Sequence, residues 1–119
     1  MALEHEIAQF GRRMGIADLA FSPEGMMALE VEGIGRVCFE RGPESVLVYL
    51  ARPAPPYDSD MPRRILAACH YGKAHPIPLS GGMHKGQAIL LTRMPERNAT
   101  AASLENAVNY LTRQMNGIF

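Results

Sequence analysis

Two cysteines and four histidines are the residues of this chain best suited to chemistry. Their spacing argues against it. Cys69 and His70 are neighbours, and neighbours on a helix point about 100° apart. They therefore do not form a nucleophile–base pair. A catalytic cysteine would need a distant histidine. His5, His70, His75 and His84 build no HExxH, HxH or Cys/His cluster of zinc spacing. Cys38 and Cys69 lie far apart, without CxxC spacing, and read as small buried hydrophobes of a reduced protein. Gly33-Ile34-Gly35 and Gly81-Gly82 continue neither as GxGxxG nor into Gly-Lys-Ser/Thr, so they read as turns rather than phosphate cradles. Asp58-Ser59-Asp60 lacks the glycine and closing glutamate of a calcium loop, and helix capping accounts for it better. Glu4, Glu6, Glu24, Glu30, Glu32, Glu40 and Glu44 are scattered and read as a solvated polar face rather than paired carboxylates. The expectation from these residues is no catalytic motif and no metal site.

The elements that would position a site are those of one domain, residues 1–119. Hydrophobic residues make up 47%, which places the chain among globular proteins. Twelve basic residues balance twelve acidic ones. That balance gives no field for nucleic acid or a membrane surface. The start, Met1-Ala2-Leu3-Glu4-His5-Glu6, has neither the basic nor the apolar region of a signal peptide. Apolar runs such as Ala88–Leu91 are too short to span a bilayer. Eight methionines stand beside no tryptophan. Methionine fills core gaps, and it also lines surfaces that accept varied apolar partners.

Leu3, Ile7, Phe10 and Met14 make one helical stripe, and Gly15 is a natural stop. Leu19-Ala20-Phe21 reads as a short extended piece. Met26–Val31 and Ile34–Glu40 alternate and read as a hairpin about Glu32-Gly33, with the next turn at Arg41-Gly42-Pro43. Ser45–Ala51 is apolar on both faces, which predicts a central strand covered by helices. Pro53-Ala54-Pro55-Pro56-Tyr57 is a stiff linker. Asp58, Ser59 and Asp60 are N-cap candidates for a helix running from Met61 to about Tyr71, with Gly72 as its end and Pro62 in its first turn. Ile77–Leu79 reads as an edge strand, Gly81–Gly86 as a turn, and Gln87–Met94 as a strand. A closing helix carries Leu104, Ala107, Val108, Leu111 and Met115, capped by Thr100 or Ser103 and ended at Asn116-Gly117. The predicted class is α+β, ordered α-β-β-β-α-β-β-α: a twisted antiparallel sheet covered by helices.

This order resembles the class I type III secretion chaperones, the family that includes the Tir chaperone. The resemblance spans the chain. It rests on the opening helix closed by Gly15, the hairpin Met26–Glu40, and the apolar strand ending Leu50-Ala51-Arg52-Pro53. The helix from Met61 and the Ala101–Met115 helix after Met94-Pro95 complete it. It implies a bacterial cytoplasmic homodimer, without activity or cofactor. Such a dimer binds an N-terminal segment of a secreted effector, keeps it non-globular, and hands it to the secretion ATPase. Apolar pockets and strand addition would hold the segment. Carried onto this chain, the partner-binding patch would draw on Ile7, Phe10, Met14, Leu19, Phe21, Met27 and Leu29. The dimer surface would use Met61, Ile65, Leu66, Cys69, Ile77 and Leu79. Many family members are acidic and this chain is neutral, which points to a less basic cargo.

Two other readings stand beside this one. One is a regulatory or scaffold dimer of the same fold, unrelated to export. The other is a small enzyme or ligand-binding domain using Cys38 or Cys69 with a histidine.

Overall fold

Leu3, Ile7 and Phe10 are the buried stripe of the first helix, α1 (Ala2–Arg13). The apolar period of the sequence is thus the face that leaves water. Arg12 and Arg13 sit in the last turn, where cations suit the helix dipole. Gly15 closes the helix at φ 80°, a left-handed conformation that a side chain would disfavour. Its N–H donates to the Arg12 carbonyl at 3.1 Å, and the Ile16 N–H donates to the Gly11 carbonyl at 2.7 Å.

The computed structural model describes residues 2–70 and 77–119. After α1 come β1 (Met26–Val31), β2 (Gly35–Gly42), β3 (Ser45–Pro53), α2 (Met61–Ala68), β4 (Ser80–His84) and β5 (Gln87–Pro95). A short 3-10 turn, Glu96–Asn98, leads into α3 (Ala101–Ile118). The strands form one antiparallel sheet in the order β1-β2-β3-β5-β4. Met27, Phe39, Val48 and Thr92 lie in one row across it, and Leu29, Val37, Leu50, Leu90 and Gly81 in the next.

All three helices reach the sheet from the face these rows define. The Phe10 ring of α1 stands 5.0 Å from the Phe39 ring. A Cβ placed on Gly81 would meet Ile65 Cγ2 of α2 at 3.0 Å. Arg52, on the same face as Leu50, donates to Asn116 Oδ1 of α3 at 2.9 Å. One core results, with Val46, Val48, Leu50, Leu104, Leu111 and Met115 fully buried in it.

Strand β3 is central, as its apolarity predicts, but the helices cover it on one face only. Val46, Val48 and Leu50 are buried, whereas on the opposite face Leu47 and Tyr49 are half-buried and the small Ala51 is buried. Alternation along a strand sends one set to the helices and leaves the other set on the open face.

Several boundaries also differ from the prediction. Leu19–Phe21 forms no strand, because the chain there lies over α1. The first hairpin turns through Val31–Ile34, with Gly33 at φ 80° and the Ile34 N–H donating to the Val31 carbonyl at 3.0 Å. The second turns at Pro43-Glu44, between the paired residues Gly42 and Ser45. Helix α2 ends at Ala68, with Cys69 as its cap. The predicted extension to Tyr71 and Gly72 lies outside the described residues, as does His75. The Asp60 side chain makes no capping bond and instead pairs with Arg63 at 2.6 Å. The fourth strand is Ser80–His84 rather than Ile77–Leu79, and the turn shrinks to Lys85-Gly86. Helix α3 runs through Asn116-Gly117 to Ile118.

Candidate partner-binding surfaces

The seven residues of the predicted patch separate by depth. Ile7, Phe10 and Met27 belong to the buried core. Met14, Leu19, Phe21 and Leu29 are half-buried and pack at its margin. The first three lie beneath, within the core, and only the other four reach the surface.

Local structure explains how they gather. The closing turn of α1 sets Met14 at the helix end. Leu19 lies so close to α1 that its Cβ would stand 2.7 Å from a Cβ on Gly11, so only glycine admits the loop there. Phe21 lies under the Arg41 guanidinium, 5.8 Å from ring centroid to Cζ. Arg41 is fixed in turn by Glu4 of α1 and by Glu96, the latter at 3.5 Å. The Arg41 hydrogen bond holds the Glu4 carboxyl below the usual carboxylate range. The Arg41 N–H donates to the Gly25 carbonyl at 2.7 Å, and the Ser22 N–H donates to the Met26 carbonyl at 2.7 Å. These bonds seat the loop against the start of β1. Leu29 then faces the helices from β1, whose far side is a sheet edge. Arg41 was not legible as the anchor of this patch, because its partners are remote in sequence.

The six predicted dimer residues separate in the same way. Met61 and Ile65 are fully buried and are not available as surface. Cys69, Ile77 and Leu79 are half-buried against the core, and Leu66 is 69% exposed. Burial raises the Cys69 thiol above its ordinary pKa, which disfavours a reactive thiolate. Cys38 is buried within the sheet. Among the described residues no three His, Cys, Asp or Glu side chains come together to hold a metal. No helix of the described residues is long and apolar enough to cross a membrane.

One surface was missed altogether. The open sheet face carries half-buried Leu47, Tyr49, Ile89 and Leu91 and exposed Met26. Its one signal in the sequence is the two-sided apolarity of β3, which equally fits a strand covered by helices.

A one-sided five-stranded sheet ends in an edge strand, β1, beside a half-buried apolar margin, the arrangement that strand addition by a partner segment uses. Residues 2–119 match the family model described as type III secretory system chaperone SycN, and the chain belongs to that family. It is a type III secretion chaperone. No curated protein matches the chain. Among solved structures, the Yersinia pestis type III secretion chaperone SycH, in complex with a fragment of YscM2, is 10% identical with a TM-score of 0.75. That match covers 98% of this chain and 99% of the other. A chain of the HopA1–SchA chaperone–effector complex is 14% identical with a TM-score of 0.71, covering 95% of this chain and 89% of that one. The fold is shared more widely. YbjN of E. coli, described as a candidate transcription regulator, is 10% identical with a TM-score of 0.57, covering 92% of this chain and 83% of its own.

Proposed function

We propose that this chaperone binds an extended N-terminal segment of a secreted effector and keeps it competent for export. The observation that carries the reading is the β1 edge beside Met14, Leu19, Phe21 and Leu29. An edge strand offers unpaired N–H and C=O groups to an incoming strand, and the margin offers pockets for its apolar side chains. Ordering an extended chain is costly, so affinity must come from a long wrapped contact rather than one pocket.

The working unit in this reading is a cytoplasmic homodimer without enzymatic activity, assembled through the α2 surface at Leu66. Its complex is handed to the secretion ATPase. Co-expression with the N-terminal part of the protein encoded beside it, followed by size-exclusion chromatography with light scattering, tests this. Two copies with one segment would support the reading. The occurrence of the fold in YbjN motivates the alternative, a regulatory dimer unconnected with export. A dimer that ignores every such segment would favour that alternative.

A further inference from the structure

Between α2 and α3 lies a cleft of about 400 Å³ that neither surface above includes. Its floor is small: Ala67, Ala68 and Gly117, where an added Cβ would meet nothing within 4 Å. Its polar groups are Arg64, Arg113 and Gln114, and no carboxylate lines it.

The two arginines differ. Arg64 is fully engaged. It pairs with Asp58 and donates to the Ile118 carbonyl at 2.7 Å. That bond also caps the last turn of α3 and offsets the negative end of its dipole inside the cleft. Arg113 is exposed, and no carboxylate of the described residues pairs with it. Its guanidinium lies over the Tyr110 ring, 5.8 Å from the centroid. A ring beneath a guanidinium leaves the N–H edge free, and that edge matches a carboxylate in a bidentate fork.

We infer that this cleft is an acid-binding site. It takes a Glu or Asp side chain of the secreted segment, held by Arg113 and the Gln114 amide. The inference rests on the partner-binding reading above and adds a chemical requirement to the cargo. Charge complementarity chooses the occupant. In a second copy α2 itself carries no acid, and the two aspartates just before it, Asp58 and Asp60, are already paired with Arg64 and Arg63.

The test is an NMR titration of the full chain with an acetylated tetraglutamate peptide, read at Arg113 Nε–H and the Gly117 amide. Saturable shifts are expected at both. A tetraglutamine peptide should bind about tenfold more weakly, the usual worth of a charge-assisted pair. Arg113→Gln, folded by its amide spectrum, should lose the response, and Arg12→Gln on α1 should keep it. Absence of shifts, or equal binding of the two peptides, overturns the site. Tighter binding of succinate than of the peptide assigns the cleft to a free dicarboxylate and overturns the cargo reading of it. Dissociation of a dimer in Arg113→Gln would place the acid on a second copy instead. If Arg113→Gln still holds a co-expressed segment while the peptide shifts are missing, the cleft fails and the chaperone reading stands.

Discussion

The Glu6 carboxylate of α1 accepts a hydrogen bond of 2.6 Å from the Ala101 N–H at the start of α3. The N-terminus of the last helix is therefore completed by the first. Thr100 and Ser103 form a reciprocal capping box, with bonds of 3.1 and 2.8 Å, and Glu6 takes a donor that the box leaves over. Glu6→Ala should lower stability by about 1 kcal/mol, in the range of a lost cap. Glu6→Gln, which keeps an acceptor, should lose less. Urea denaturation of the three proteins decides this, and equal midpoints would leave the contact without weight.

The Glu4–Arg41 pair predicts a pH dependence. The folded carboxyl has its pKa lowered from 4.5, chiefly by the Arg41 hydrogen bond. The stabilisation is therefore fully present above about pH 4.5 and is lost as pH falls through the lower, folded value. Glu4→Gln should be less stable than the parent at neutral pH and converge with it in strong acid. Because the carboxylate is exposed, added salt should shrink the difference. A gap that is constant with pH would remove the charge from the explanation.

Adjacent glycines of β4 should behave oppositely. A Cβ on Gly81 would stand 2.6 Å from the Ile89 carbonyl and 3.0 Å from Ile65 Cγ2, whereas one on Gly82 meets nothing within 4 Å. Gly81→Ala should cost about 1–3 kcal/mol by overpacking. Gly82→Ala should be neutral or mildly stabilising through the unfolded chain. Thermal melts of both variants check the contrast.

Those two glycines also explain where the sequence was hard to read. The stripes of α1 and α3 and the hairpin of β1 and β2 were legible because each repeats its apolar period over a whole element. Strand β4 was not. Ser80-Gly81-Gly82 has no alternation, and what makes it a strand is its pairing with β5 under Ile65. Periodicity also reports a face and not a depth. Phe10 and Met14 share one stripe, yet Phe10 is core and Met14 is margin. The same blindness placed Ile65 beside Leu66 on the predicted dimer surface.

Depth sets the outcome for the binding patch. Phe10 is fully buried against Phe39. Phe10→Ala should cost about 3–5 kcal/mol, and Phe10→Asp should unfold the domain. Leu29→Asp and Met14→Asp should leave the amide spectrum folded and abolish capture of the secreted segment in co-expression. A folded Leu29→Asp that still captures the segment would remove β1 from the interface.

The same reasoning selects the variant for the dimer. Ile65 is 1% exposed, so Ile65→Asp would unfold the domain before it reported on association. Leu66, one residue on and 69% exposed, turns its side chain to solvent on α2. A leucine so exposed loses nothing in folding when replaced, but at a subunit interface its burial contributes about 1.5–3 kcal/mol per copy. Leu66→Asp should therefore keep the parent's melting temperature at low concentration and shift its sedimentation toward monomer. Unchanged dimer mass would move the interface away from α2, and the open face of Leu47, Tyr49, Ile89 and Leu91 would be the next apolar surface to substitute.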